Sequence, residues 1–514
     1  MNDRPWEPGP SIFSILESWT GPGEASLPDE AEGQIRWASG AQDGVRSHHM
    51  GSMEEAREAE LVYRLVDLVQ AAATREPARE ELYRFCLQES ILGVVDPLLE
   101  ELERRDAPDW PGLPELARFL VTRASHREPL KLGIALLGLV GQPTDLDVLE
   151  ALAEHDEFTL FAAVAGARLA GDPIQFWWRL ARRVNGWGKI HLVERLAEHA
   201  EDRPDLARWL LEEGCENWVM PEYLAYLCAT HGRLPEALQA ADPGRKLLDG
   251  ACLILGALLE GGPAEDIDDY AEGPRAVERL LEHLEGRAAL EHLEFVQRLE
   301  TWLHGGLDPG AEDVWAGRAA RGWTPEVRQR LQARCAALLE RPEWARTLPE
   351  VYASHEARPR QVAWNLAPRL KVDLWEAGFE RLQSTELDAF LCWALLDRGT
   401  PERNARVLDW AQDALPLSAM ASGPEQRFGA GTEHTALQFC LQFIQPEAPF
   451  RDRLVAAGLR SPSVSCRSLA LSVLERTPET RWEAASRAAL THLAEDECMA
   501  ELKKRALSLL AGVP

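Results

Sequence analysis

The feature that most constrains this chain is a thirty-residue period of apolar side chains. In GIALLGLVGQPTDLDVLEALAEH and AVAGARLAGDPIQFWWRLARRV, Gly141 and Pro143 are matched thirty positions on by Gly171 and Pro173. Leu130 is followed in register by Leu160 and then Ile190, Leu139 by Leu169, and Leu146 by Phe176 and then Leu206. Each unit reads as helix, tight turn, helix. A pair of short amphipathic helices cannot bury its own apolar face, so successive pairs must stack. The pattern predicts an all-α chain, built as an α-solenoid of stacked antiparallel helix pairs.

The rest of the sequence agrees with a helical chain. In ELVYRLVDLVQAAA, Leu61, Leu65, Leu68 and Val69 fall on one helix face. VDPLLEELERR offers Asp96 as an N-cap and Pro97 at the first helical position. No segment alternates apolar and polar residues as a half-buried strand does. Residues 1–52 are rich in Gly, Pro, Ser and acidic groups, and read as a disordered segment with a short helix around SIFSILESW. SHHMGSM (47–53) has the look of a tag remnant, with Met53 as an alternative start of the folded part. Helical repeats follow over 53–260, over 261–434 with loop insertions, and over 435–514. The stretches 261–274, 304–323 and 416–434 read as insertions because helical patterns resume after each.

Charge narrows the partners. Of 514 residues, 84 are acidic and 55 are Lys or Arg, a formal charge of −29. Such a field repels nucleic acid and anionic membranes, and favours a basic protein partner. The nine cysteines are scattered, never in a C-x-x-C pair, and sit in apolar helical patterns. Buried free thiols in a reducing compartment account for them. The amino terminus lacks the charged-then-apolar pattern of a secretory signal, and no uncharged apolar run reaches membrane-spanning length. A soluble, cytoplasmic protein is expected.

A resemblance supports the repeat reading. SPSVSCRSLALSVLERT (461–477) resembles the second helix of a HEAT or armadillo-type repeat, through Pro462, Val464, Arg467, Ala470, Leu471 and Leu474. ELKKRALSLLAG repeats the motif at Arg505, Ala506 and Leu507, and residues 156–173 share its character. Residues 222–242 look more like a tetratricopeptide-type pair. The resemblance covers about half of the chain as a pattern, and implies a scaffold.

The most distinctive stretch is VNGWGKIHLVERLAEH (184–199). As a phosphate loop it fails, because Gly186 and Gly188 are too close together and Lys189 is followed by Ile190. His191 and His199, eight apart, sit roughly 80° apart and about 12 Å along a helix, too far to share an ion. His191 and Glu194 could serve one ion at i and i+3, with further ligands from elsewhere. The register gives the simpler answer: this is the first helix of a third unit, with Asn185 and Gly186 in the turn, Trp187 packing at the start and Gly188 permitting close approach. Eighteen tryptophans are many, and tryptophan anchors interfaces. Trp177 and Trp178 are about 100° apart on a helix, which puts Trp178 on the Arg182 side. The candidate partner-binding residues are therefore Trp178, Arg182, Trp187, Lys189, His191 and Glu194.

Other clusters read as structure. Glu265, Asp266, Asp268, Asp269 and Glu272 lack EF-hand spacing and read as a solvated acidic loop. His283 and His292 read as part of an exposed charged face. Gly429 and Gly431 precede a helix with Thr432 as N-cap, which is a weak anion-site signal. No nucleophile, base and orienter assemble from spacing. The expected function is a non-enzymatic scaffold that binds a protein partner, without cofactor or metal; an enzyme is disfavoured rather than ruled out. The alternatives are an acidic inhibitor or immunity-type protein against a basic toxin or nuclease, and an enzyme on a HEAT-like frame such as a DNA glycosylase, which the charge disfavours.

Overall fold

The structure, a computed structural model, describes residues 6, 9–21, 23–29, 37–49, 55–305, 311–425 and 431–512. Among them the regular structure is helical, with no β-strand. The chain forms two compact units, the first running to Trp344 and the second beginning at Ala345. The division falls inside helix Pro342–Tyr352, and neither 260 nor 434 marks a boundary between units. Loop 261–272 does not separate units because it is fastened down. Ile267 and Tyr270 are buried, and the Ile267 N–H donates to the Leu258 carbonyl. Arg318 grips Asp268 with two hydrogen bonds of 2.9 Å, so this acidic cluster is tied down by an arginine.

In the first unit, local signals start and stop each helix. Gln142 and Asp145 form a capping box before helix Leu146–Ala153, with Pro143 in the first turn. One unit on, Asp172 accepts the Ile174 and Gln175 N–H groups, and Pro173 opens helix Pro173–Ala181. The longer helices pack in chain order: Leu113–Arg123 on Arg127–Val140, then Asp156–Leu169, Trp187–Ala197, Glu222–His231 and Arg245–Glu260. The short helices 146–153 and 173–181 lie against helix 156–169. Leu130, Phe176, Ile190 and Leu206 are fully buried, each contributing about 2 kcal/mol of transfer free energy. Leu160, in the same register, is half-buried because it faces a cavity.

The period also appears in ion pairs. Glu150–Arg179 and Glu154–Arg183 join residues 29 apart, and Asp172–Arg203 residues 31 apart. In the second unit Asp373–Arg403, Glu376–Arg406, Glu475–Arg505 and Arg467–Glu497 are each 30 apart. There, helices Ala389–Arg398, Thr432–Phe443, Val464–Arg476 and Ala500–Leu510 pack in succession. Arg467 and Glu497 are fully buried and joined by hydrogen bonds of 2.7 and 3.0 Å, while Arg467 also donates to the Ser461 and Pro462 carbonyls.

Three expectations need correction. In residues 1–52 the expected short helix is present as Ile12–Ser18, but it packs on helices 113–123 and 146–153, and Ala41–His49 is a second helix that was not expected. Trp6, Ile12, Ala25, Leu27 and Ala41 are each buried. Isolated apolar residues at irregular intervals give no readable period, yet each is buried. Asp96 lies in the first turn of helix Val95–Arg104, after an N-cap at Val94, and Thr432 begins its helix after Gly431. Gly429 and residues 50–53 lie outside the described residues. Eight cysteines are buried, as expected, and Cys498 is exposed. No described helix is long and apolar enough to cross a membrane.

Candidate functional site

The site is assembled where the amino-terminal helix Ala41–His49 meets helix Trp187–Ala197. Two inward residues hold the amino-terminal helix there. Asp43 is buried and accepts a 2.5 Å bond from Lys131 Nζ, which also lies 2.7 Å from Glu157 Oε1 and 3.4 Å from Glu128 Oε1. Burial pushes the Asp43 carboxyl up despite Lys131, whereas Lys131 keeps Glu157 below its ordinary range against the same effect. Gly44 lies flat on Trp187, where a Cβ would collide with the indole ring. One turn on, Ser47 donates to the Asp43 carbonyl and His48 Nδ1 donates to the Gly44 carbonyl at 2.9 Å.

That last bond fixes the imidazole. With Nδ1 donating to a carbonyl, Nε2 is left facing Glu194 Oε1 at 2.8 Å. His191 Nδ1 lies 3.6 Å from the other oxygen of the same carboxylate. Ligand atoms of His48, His191 and Glu194 all fall within 4.8 Å of one another. Burial pushes the Glu194 carboxyl up, but the contacts with His191 and His48 outweigh it and hold it at about 2. The hydrogen bond with Glu194 raises His48 above its ordinary range. Trp187 and Tyr223 close one side, with ring centroids 5.5 and 5.3 Å from His48.

A cavity of about 450 Å³ opens beside these three groups. Its walls are largely aliphatic, from Leu92, Leu99, Leu160 and Val164. His48, His191 and Glu194 make up part of its polar wall, with Asp96, Arg168 and Arg195. Arg195 donates from Nη1 to the His191 carbonyl at 2.7 Å, and burial depresses its guanidinium. Arg168 is paired with Glu103 at 2.7 Å. Apolar walls with a few convergent polar groups suit a small ligand.

The six candidate residues do not form one exposed face. Trp187, Lys189 and His191 are buried, and His48 of the amino-terminal helix lies against Trp187 and His191. Lys189 Nζ donates to the Glu213 carbonyl at 2.8 Å, away from the His48 cluster, and burial lowers it. Trp178 lies under Arg182, with the guanidinium 4.6 Å from its ring, and edge-on to Trp209. Trp177 donates to the Ala163 carbonyl and stacks on His199. Gly188 permits the expected close approach, since a Cβ there would strike Thr159 Oγ1. Only His191 and Glu194 come together as a site, and His48, absent from the sequence-derived set, completes it. The one signal for His48 was its place four residues after Gly44, one turn along the same helix.

The other histidine pair separates. His283 Nε2 bonds the Leu238 carbonyl, whereas His292 is buried and bonds Asp249 Oδ1 at 2.8 Å. A break at 288–291 divides their helices. Comparison with protein-family models, with curated proteins and with solved structures finds no match to this chain.

Proposed function

We propose that the protein is a non-catalytic scaffold, an α-solenoid of HEAT-like helix pairs that binds a protein partner. Ion pairs recurring about one thirty-residue unit apart, and the chain-order packing of the long helices, support the solenoid reading. The observation that carries the binding reading lies in the second unit. Helix 389–398 is apolar on two faces: Cys392, Leu395 and Leu396 are buried, while Phe390 is 73% exposed and Trp393 40% exposed. Phe439 on the adjacent helix lies 6.2 Å from Phe390 and 6.3 Å from Trp393, extending the patch. Contiguous exposed aromatics of this kind mark interaction surfaces, since each ring buries a large area with few rotors. The charge of −29 favours a basic partner.

Partner capture from native-host lysate tests this, comparing wild type with Phe390→Ala/Trp393→Ala at low and high salt. A single protein retained by wild type and lost by the variant supports the reading, and salt-sensitive retention identifies a basic partner. Equal retention by both removes the patch from the proposal. A folded bait that retains nothing removes the scaffold function.

A further inference from the structure

We propose that His48, His191 and Glu194 form a binding site for a first-row divalent cation of the zinc class, with a fourth, exchangeable position open to the cavity. The site lies in the first unit and is independent of the aromatic patch, so it stands or falls separately from the scaffold reading.

Two imidazoles and one carboxylate are the donor set that an ion of intermediate softness prefers. Bonds of about 2.0–2.1 Å in a tetrahedral arrangement place neighbouring ligand atoms about 3.3 Å apart. His48 lies 2.8 Å from one Glu194 oxygen and His191 3.6 Å from the other, on either side of that value, and the three groups offer ligand atoms within 4.8 Å of one another. Small side-chain rotations are enough to bring them onto one ion.

The tautomer of His48 gives the second argument. Its Nδ1 is committed to the Gly44 carbonyl, which is the outer-shell bond that orients metal-binding histidines. In a neutral ring, Nε2 then presents a lone pair to a carboxylate oxygen 2.8 Å away. Two lone pairs in contact require a positive charge between them, either a proton or a cation. A divalent ion satisfies both groups and His191 together, which a single proton cannot.

Preorganisation gives the third. His191 and Glu194 stand one turn apart on one helix, and His48 is carried by a helix that the buried Asp43–Lys131 contact pins in place. All three side chains line the cavity, so the position not taken by protein faces that space. Three protein ligands and one open position is the arrangement that leaves water or a small anionic ligand on the ion.

The test uses the full chain, stripped with a chelator and titrated with zinc sulfate against a chromophoric competitor. One equivalent per chain is expected. His48→Gln and Glu194→Gln should each weaken binding by more than the roughly hundredfold that loss of an outer-shell partner costs. His49→Gln, whose ring meets the Tyr223 hydroxyl, and Cys498→Ser, which removes the exposed thiol, should bind as wild type does. Far-UV circular dichroism checks that each variant is folded; if His48→Gln is not, Glu194→Gln carries the test. Cobalt(II) substitution should give the visible bands of a four- or five-coordinate nitrogen–oxygen site. Absence of stoichiometric uptake by wild type, uptake unaltered in the folded variants, or a thiolate-to-cobalt charge-transfer band would overturn the proposal.

Discussion

Lys131 Nζ lies 2.5 Å from Asp43 Oδ2, and through this contact the amino-terminal helix is bound to helix Arg127–Val140. Both side chains are nearly inaccessible, and Glu157 shares the same ammonium. Lys131→Met leaves buried carboxylates without their cation, and should destabilise the first unit by about 3–5 kcal/mol at pH 7. The loss should shrink toward pH 5, because the uncompensated carboxyls then take up protons. Urea unfolding at the two pH values measures this; a loss that does not change with pH would contradict the charge argument.

Gly44→Ala should release the amino-terminal helix without unfolding the helices it packs on, because the added methyl strikes the Trp187 ring. Hydrogen exchange is the readout. Amides in 41–49 should exchange much faster, while those in Arg127–Val140 keep most of their protection. Unchanged exchange in 41–49 would mean that the indole moves aside at little cost.

The His48–Glu194 contact predicts a pH window in metal-free protein. His48 is raised from 6.5, so its contribution is complete below that value and is lost as pH rises through the folded-state pKa. Glu194 falls from 4.5 to about 2, so its contribution is complete above 4.5 and is lost as pH drops toward 2. The stability advantage of wild type over Glu194→Gln should therefore peak between pH 4.5 and 6.5. Carbon-13 titration of His48 should show its pKa lowered in the variant; an unmoved pKa would dissociate the two groups.

Asp156 carries the sign opposite to that of Glu194. Burial and the nearby Glu24 raise its carboxyl from 3.8 to about 7, although it accepts the Gly188 N–H. A raised carboxyl makes its full contribution below 3.8 and loses it as pH rises through about 7. The Tm difference between Asp156→Asn and wild type should accordingly move in favour of the variant from pH 4 to pH 8. A constant difference across that range would show that Asp156 ionises normally in the fold.

In the second unit, Arg467→Met should cost about 3–5 kcal/mol, since it strands the buried Glu497 carboxylate and frees the Ser461 and Pro462 carbonyls. Replacing both partners by methionine should recover part of that loss, as a buried pair and its apolar replacement have similar stability. Denaturant midpoints of the two variants decide the matter, and a double variant no more stable than Arg467→Met would implicate the carbonyl contacts instead.

Much of the fold was legible because its causes are local. Leu130 and Ile190 announced buried helix faces through spacing, and Pro173 announced a helix start through its fixed φ. Segment 184–199 was correctly read as a helix start for the same reason. The cover over it was not legible, because His48, which lies against Trp187 and His191, comes from a segment more than a hundred residues earlier. His292 shows the same limit: its sequence surroundings are charged, yet the packing of Asp249 against it decides that it is buried.

By itself, the sequence determined that the chain is helical, where several of its helices start, and that its apolar residues recur at thirty-residue spacing across 130–206. Those properties rest on hydrogen bonds and caps within a few residues, and on a period that any stretch carries with it. Only the tertiary structure decided that Asp43 reaches Lys131 and that His48 meets Glu194 across 146 positions. Such meetings depend on where an irregular segment docks on the packed helices. No periodicity in that segment encodes the docking, because buried charge pairs and single apolar anchors, rather than a continuous apolar face, hold it there.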